Sequence, residues 1–201
     1  MAYATAAELV EHLSLGDNLS AGILVSAEKT ARLELALDAA TTHIEDDTDR
    51  VFTSSTATKQ LKSDGGDILR VPDLVSVSSL KIDDDADGTY ETTLTSADYE
   101  LNNWHENVSG WPYEYVVRVD DCWPCVTNGR RRLVEITGVW GWSAVPKTVK
   151  QACLIEAARL FQRANAALGV QGFSDFGAFS VRNNDPDYQS LIAPYRKHGL
   201  A

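Results

Sequence analysis

The chain is poor in the features that usually announce chemistry. Of its 201 residues only three are cysteine, an odd number that fits a reducing compartment better than a disulfide scaffold. Positive charge is scarce: 18 Lys and Arg stand against 29 Asp and Glu, a net −11. That balance argues against a sequence-independent clamp on nucleic acid, because such a clamp gains affinity when a basic surface releases counterions. It leaves room for a protein past which DNA slides without sticking. No apolar run approaches the length of a membrane span. The opening MAYATAAELVEHL lacks the basic and apolar regions of an export signal, so none is expected, and the glycosylation pattern Asn107-Val108-Ser109 then carries no weight. The four histidines (His12, His43, His105 and His198) are scattered, with no HExxH. There is no G-x-S-x-G elbow, and Gly169, Gly172 and Gly177 neither follow a strand nor open a helix directly, as a phosphate-binding loop would. Internal repeats and low-complexity linkers are missing too. No catalytic residue, metal ligand or cofactor-binding residue is therefore assigned, and no cofactor is expected.

What the chain does have is helical periodicity at both ends. Pro146 has a φ suited to a first helical turn, and the sequence then runs without a breaker to Leu168. Val149, Cys153, Ala157, Leu160, Ala164 and Leu168 form one apolar stripe, so rich in alanine that a partner must pack close. Thr5-Ala6-Ala7-Glu8 is a capping-box pattern opening a short helix that ends near Gly16. A second helix is expected from about Ser20 to about Asp47, with Leu33, Ala36, Leu37, Ala40 and Ile44 inward and a fraying acidic end at Glu45-Asp46-Asp47. Asp185-Pro186 caps and starts a last helix, with Tyr188, Leu191, Ile192 and Tyr195 on one side and Pro194 kinking or ending it.

Between Arg50 and Trp142 short β-type runs alternate with turns. The expected strands are 59–62, 68–71, 75–82, 90–94, 99–101, 115–119 and 133–139, and all five tryptophans lie here, which predicts an aromatic core. The fold class expected is α+β: a helical bundle of about four helices (residues 1–49 and 143–201) interrupted by a β-rich insertion (residues 50–142). Gly169–Asn184 reads as a glycine-hinged loop carrying Phe173, Phe176 and Phe179. Aromatics on a flexible segment suggest a surface that finds its partner on another chain.

Two motifs invite a chemical reading. Cys122-Trp123-Pro124-Cys125 could be a redox dithiol, but a turn rather than a helix follows it, and no second ligand pair completes a zinc site. Asp83-Asp84-Asp85-Ala86-Asp87-Gly88 resembles the opening of an EF-hand loop, yet Leu94 occupies the place of the bidentate glutamate and the flanks read as strands. An acidic hairpin tip is the favoured account. A dithiol oxidoreductase on Cys122 and Cys125, or a metal-binding module on Asp83–Asp87, stand as the alternatives to a purely structural protein. The cluster Gly129-Arg130-Arg131-Arg132 fits pairing with nearby carboxylates better than phosphate binding.

The segments Val145-Pro146-x-x-Val149, Ala157-Ala158-Arg159-Leu160-Phe161-x-Arg163, Gly169-Val170-x-Gly172-Phe173 and Asp185-Pro186-Asp187…Leu191-Ile192-x-Pro194-Tyr195-Arg196 together resemble the head-to-tail connector (adaptor) proteins of long-tailed double-stranded DNA bacteriophages. The likeness covers the helical ends; the β-rich block departs from it. What it implies is a non-enzymatic virion protein at the neck, made in the host cytoplasm. Such a protein forms a homo-oligomeric ring, commonly of twelve subunits, beneath the portal protein, carries the next neck or tail component, and passes double-stranded DNA without binding it specifically. Another neck ring, such as a head completion or tail terminator protein, is the neighbouring reading. A ring needs two different faces that meet head to tail. The interface candidates are Phe173, Phe176, Phe179, Tyr188 and Tyr195, with Arg196 and Lys197 in a basic tip suited to an acidic neighbour.

Overall fold

The structure, a computed structural model, describes residues 2–14, 27–105, 110–125, 132–165, 170–173, 177–180 and 185–197. The chain divides into two compact units, one formed by Met1–Arg50 with Val145–Ala201 and the other by Val51–Ala144. Helices and a six-stranded antiparallel sheet make it a mixed α+β protein. No helix among the described residues is long and apolar enough to cross a membrane.

Among its described residues the first unit holds four helices, α1 (Ala6–Ser14), α2 (Ala27–Thr48), α3 (Lys147–Asn165) and α4 (Pro186–Ile192). The capping box forms as its residues dictate. Thr5 Oγ1 accepts the Glu8 N–H at 3.3 Å, and the Glu8 carboxylate accepts the Thr5 N–H at 2.9 Å. Leu9 is fully buried behind it. α2 packs on α3, and the buried faces are Leu33, Ala36, Leu37, Ala40 and Ile44 on one side and Val149, Ala152, Cys153 and Ala157 on the other. Alanine on both faces lets the helices approach closely. Each fully buried leucine or isoleucine contributes about 1.5–3 kcal/mol relative to exposure. Cys153 is a core residue, 3.7 Å from Thr41 Oγ1. The first helical turn of α2 expected near Ser20 lies outside the described residues.

The acidic end of α2 does not fray as its sequence suggests. It stays helical to Thr48 because tertiary partners meet its carboxylates: the Tyr3 hydroxyl donates to Glu45 at 2.6 Å and the Tyr188 hydroxyl to Asp47 at 3.1 Å. A second correction concerns the loop expected at 169–184. Val170–Phe173 (β7) and Gly177–Ser180 (β8) pair antiparallel as a two-stranded hairpin, with Val170 opposite Ser180 and Phe173 opposite Gly177.

In the second unit the strands are β1 (Ser55–Lys62), β2 (Ile68–Ile82), β3 (Thr92–Leu94), β4 (Tyr99–Asn102), β5 (Tyr113–Arg118) and β6 (Arg132–Trp140), ordered β1-β6-β2-β5-β4 with β3 beside the end of β2. The runs 68–71 and 75–82, expected as two strands, are one. β2 pairs with β5 over Ile68–Leu74 and with β6 over Leu74–Ile82, and Pro72 sits in the register shift of the β2–β5 ladder, between Arg70 and Leu74. Proline lacks the N–H that an interior strand position needs, and a bulge is where a sheet tolerates it. The core is mainly aliphatic rather than aromatic: Leu69, Leu74, Leu80, Ile82, Val116, Val134 and Ile136 surround Trp123 and Trp140. Trp142 packs separately with Phe52 and Trp111 and donates to Asp73 Oδ2 at 3.0 Å, while Trp104 is 56% exposed.

Two glycines let the backbones meet. A Cβ on Gly138 would lie 2.2 Å from the Ser76 carbonyl oxygen. One on Gly141, where φ is +95°, would lie 2.0 Å from that of Thr53.

Candidate functional site

The interface residues expected from sequence fall into two groups. The first lies on the hairpin. Phe173 closes β7 and Phe179 lies on β8 opposite Gln171, whereas Phe176 lies outside the described residues.

The second group is at the end of the helical unit. Asp185 is extended (φ −85°, ψ 119°), and its carboxylate accepts the N–H groups of Asp187 at 2.9 Å and Tyr188 at 3.4 Å. With Pro186 following, this cap fixes where α4 begins. The helix then turns Tyr188 and Ile192 fully inward. Tyr188 was expected on an interface, but the structure places it in the core of its own unit, stacked on His43 at 5.3 Å between ring centroids. Beneath it the buried Glu156 carboxylate lies 3.3 Å from His43 Nδ1 and 3.6 Å from Arg159 Nε. Sequence reading counted His43 among scattered histidines; its spacing of four from Asp47 on one helix was the available signal.

After α4, a 3-10 turn at Ala193–Tyr195 contains Pro194 and ends the helix. Here the chain is tied down at successive residues. The Tyr195 carbonyl accepts from Arg50 Nε at 2.7 Å, its hydroxyl bonds Thr148 Oγ1, and the Lys197 N–H donates to the Thr48 carbonyl at 3.1 Å. That last bond satisfies a carbonyl left over at the end of α2. Arg196 bonds Gln189 and lies 3.7 Å from Asp47. Its guanidinium is thus engaged within the chain, and the tip expected to reach a neighbour is in part an internal fastening.

Burial first, and the Asp47 carboxylate second, push the Tyr188 hydroxyl well above the ordinary tyrosine range. A raised folded-state value means that the unfolded chain releases this proton first. Its contribution to stability is therefore complete below the ordinary tyrosine value of about 10 and is lost as pH rises beyond it. An absorbance titration at 295 nm is expected to leave Tyr188 protonated while exposed tyrosines ionise, with unfolding releasing it.

The alternative motifs resolve differently. Cys122 and Cys125 are exposed and not joined in a disulfide, in an irregular segment after β5. Between them Trp123 is buried, its N–H donating to the Gly66 carbonyl at 2.8 Å and its indole to that of Asp67 at 2.9 Å. The motif thus anchors a loop to the sheet. Asp83, Asp85, Asp87 and Glu91 bring carboxylate oxygens within 4.8 Å of one another. Asp83 is fully buried, and its two oxygens accept the N–H groups of Asp87 at 3.1 Å and Gly88 at 2.9 Å, which folds the acidic tip back on its own backbone.

No protein-family model matches the sequence, and no curated protein matches it. Solved structures do match in fold. A chain of the neck of an empty gene transfer agent particle, computed with C6 symmetry, is 21% identical with a TM-score of 0.59 and is aligned over 99% of this chain and 92% of its own length. A chain of the virion of the native gene transfer agent particle gives 21% and 0.57 over the same shares. One from the neck of the native particle, computed with C12 symmetry, gives 20% and 0.50 over 98% and 90%. The chain shares its fold, over nearly its whole length, with chains of these phage-like particles.

Proposed function

We propose that this chain is a non-enzymatic structural subunit of the neck of a phage or phage-like particle, a head-to-tail connector whose copies form a ring around the DNA passage. The observation that carries the reading is the likeness over 99% of the chain, at a TM-score of 0.59, to a chain of a gene transfer agent neck. Both units are included in that match, so the β-rich block belongs to the shared fold. The neighbouring structures carry C6 and C12 symmetry, and twelve copies is the number expected here. In this reading the helices form the bundle core of the connector with the β unit inserted into it. The hairpin residues Phe173, Phe176 and Phe179, with Tyr195, Arg196 and Lys197, meet the portal protein or the next neck component. Tyr188 acts from beneath by holding α4. The net charge of −11 suits a wall that double-stranded DNA passes without adhering. The ring is made in the host cytoplasm and ends in the virion at the head–tail junction.

Native mass spectrometry of the purified protein over a concentration series is expected to show a closed oligomer of about twelve copies. Deleting its gene is expected to leave DNA-filled heads that fail to join tails. Particles lacking the protein that still join heads to tails normally would overturn the assignment.

A further inference from the structure

β2 is longer than its neighbours, and on one side its pairing is interrupted. Toward β5 it is paired up to Leu74, opposite Tyr113, and it is paired again from Leu80, opposite Leu94 of β3. Between these points residues 75–79 have β6 on one side and, among the described residues, no strand on the other. An open cleft of about 620 Å³ lies there, walled by residues 75–77 of β2, by β4, and by Ser96 and Tyr113. β4 is the last strand of the sheet, with β5 on one side only. Two strands with an open edge thus border the same cleft. Such edges bond an extended backbone and not a helix. The cleft wall includes a single charge, Glu100, among side chains such as Val75, Val77, Tyr99 and Leu101. A segment seated there should be uncharged, because a charge taken out of water without a partner is costly.

The chain contains a segment of this kind. β7 and β8 carry no charged residue, and with four residues each they come close to the length of the gap. They pair with each other and, among the described residues, with no third strand. A two-stranded hairpin alone is marginal in water, and a third strand is what secures it. β3 is uncharged as well, but it is already held by β2.

We infer that, in the ring, the β7–β8 hairpin of one copy lays an outer strand edge into the cleft between β2 and β4 of the next copy, an inference that rests on the ring reading above. Hairpin and cleft are unlike faces of one chain, so the contact runs head to tail and can repeat around a circle. Pairing of this kind uses a backbone edge. It leaves the two faces of the hairpin to the portal protein or the next neck component.

The test uses the full chain and two variant forms of it. Gln171→Pro with Ala178→Pro removes backbone donors from both hairpin strands. Ser76→Arg with Ser96→Arg puts two long cations at exposed positions of the cleft wall. Tryptophan fluorescence, which reports the β unit, should match the parent in both. In sedimentation velocity each form alone is expected to need about tenfold or more higher concentration to associate. Their equimolar mixture is expected to give a heterodimer that grows no further, since one intact hairpin and one intact cleft are left to meet. Hydrogen exchange followed through the association of the parent is expected to slow at residues 75–79 and in β4. Either form assembling like the parent, a mixture without heterodimer, or amides at 75–79 that exchange equally fast in ring and monomer would overturn this contact while leaving the ring standing. Protection of those amides already in the monomer, lost with the two prolines, would mean that the chain's own hairpin fills the cleft, and would overturn the second copy as its occupant. A parent protein that stays monomeric at every concentration would overturn the ring reading and this contact together.

Discussion

Gly141→Ala is expected to destabilise the β unit by about 2–5 kcal/mol, combining the cost of a left-handed backbone at a residue with a Cβ and that of forcing an atom into a filled site. Both arise from one position. Gly141 has φ +95°, its N–H donates to the Asp73 carbonyl at 2.7 Å, and a Cβ there would lie 2.0 Å from the Thr53 carbonyl oxygen. No rotamer change relieves the clash, because the opposing atom is backbone. Gly110→Ala separates the two contributions: φ is +90° there, but nothing lies within 4 Å of the added carbon. It is expected to cost about 1–2 kcal/mol. All five tryptophans belong to Val51–Ala144, so the urea midpoint of tryptophan fluorescence reports this unit. Equal shifts for the two variants would show that the close approach at Thr53 is not a constraint.

Tyr188→Ala is expected to cost about 3–5 kcal/mol, as for other large buried aromatics, and to release α4. Seven residues are too few for a helix to persist alone in water, so α4 depends on what Tyr188 and Ile192 bury. Removing the ring empties the space against His43 and takes the hydroxyl from Asp47. The Lys197–Thr48 and Tyr195–Arg50 bonds lie just beyond α4 and should loosen with it. Hydrogen exchange is the sensitive measurement: the amides of Tyr188 and Lys197 are expected to exchange much faster. Tyr188→Phe keeps the packing and loses one hydrogen bond, for about 1 kcal/mol. Protection of the Lys197 amide that survives Tyr188→Ala would mean that the tail is held independently of α4.

Much of the helical unit could be read from the chain because its signals are local. Thr5 and Glu8 form the box that their spacing announces, Asp185-Pro186 starts a helix, the α2 stripe is buried, and Val149, Cys153 and Ala157 of the α3 stripe are buried while Leu160 is half-buried. What failed depended on distant partners. The carboxylates of Glu45 and Asp47 looked unfavourable at a helix end until Tyr3, Tyr188 and Arg196 supplied their neighbours. β2 was expected as two runs, 68–71 and 75–82, because sequence does not reveal that the register shift between Arg70 and Leu74 interrupts its pairing with β5 without ending the strand. The hairpin was hidden by Gly172 and Gly177, which leave gaps in the alternation that marks a strand. Tyr188 was legible as a member of an apolar face, but whether that face looks inward is decided by His43 and Asp47, more than a hundred residues earlier.

The division of the chain also sets a timetable. Thr41 meets Cys153, and Arg50 meets Tyr195, across sequence separations of 112 and 145 residues, whereas Val51–Ala144 is one continuous segment. During synthesis, which proceeds from the amino terminus, the sheet can close as soon as its last strand leaves the ribosome. α1 and α2, made first, must wait with Leu33, Leu37 and Ile44 uncovered until α3 arrives. The earliest part of the nascent chain is thus among the last to reach its native packing, and it is there that a chaperone would find its longest-lived target.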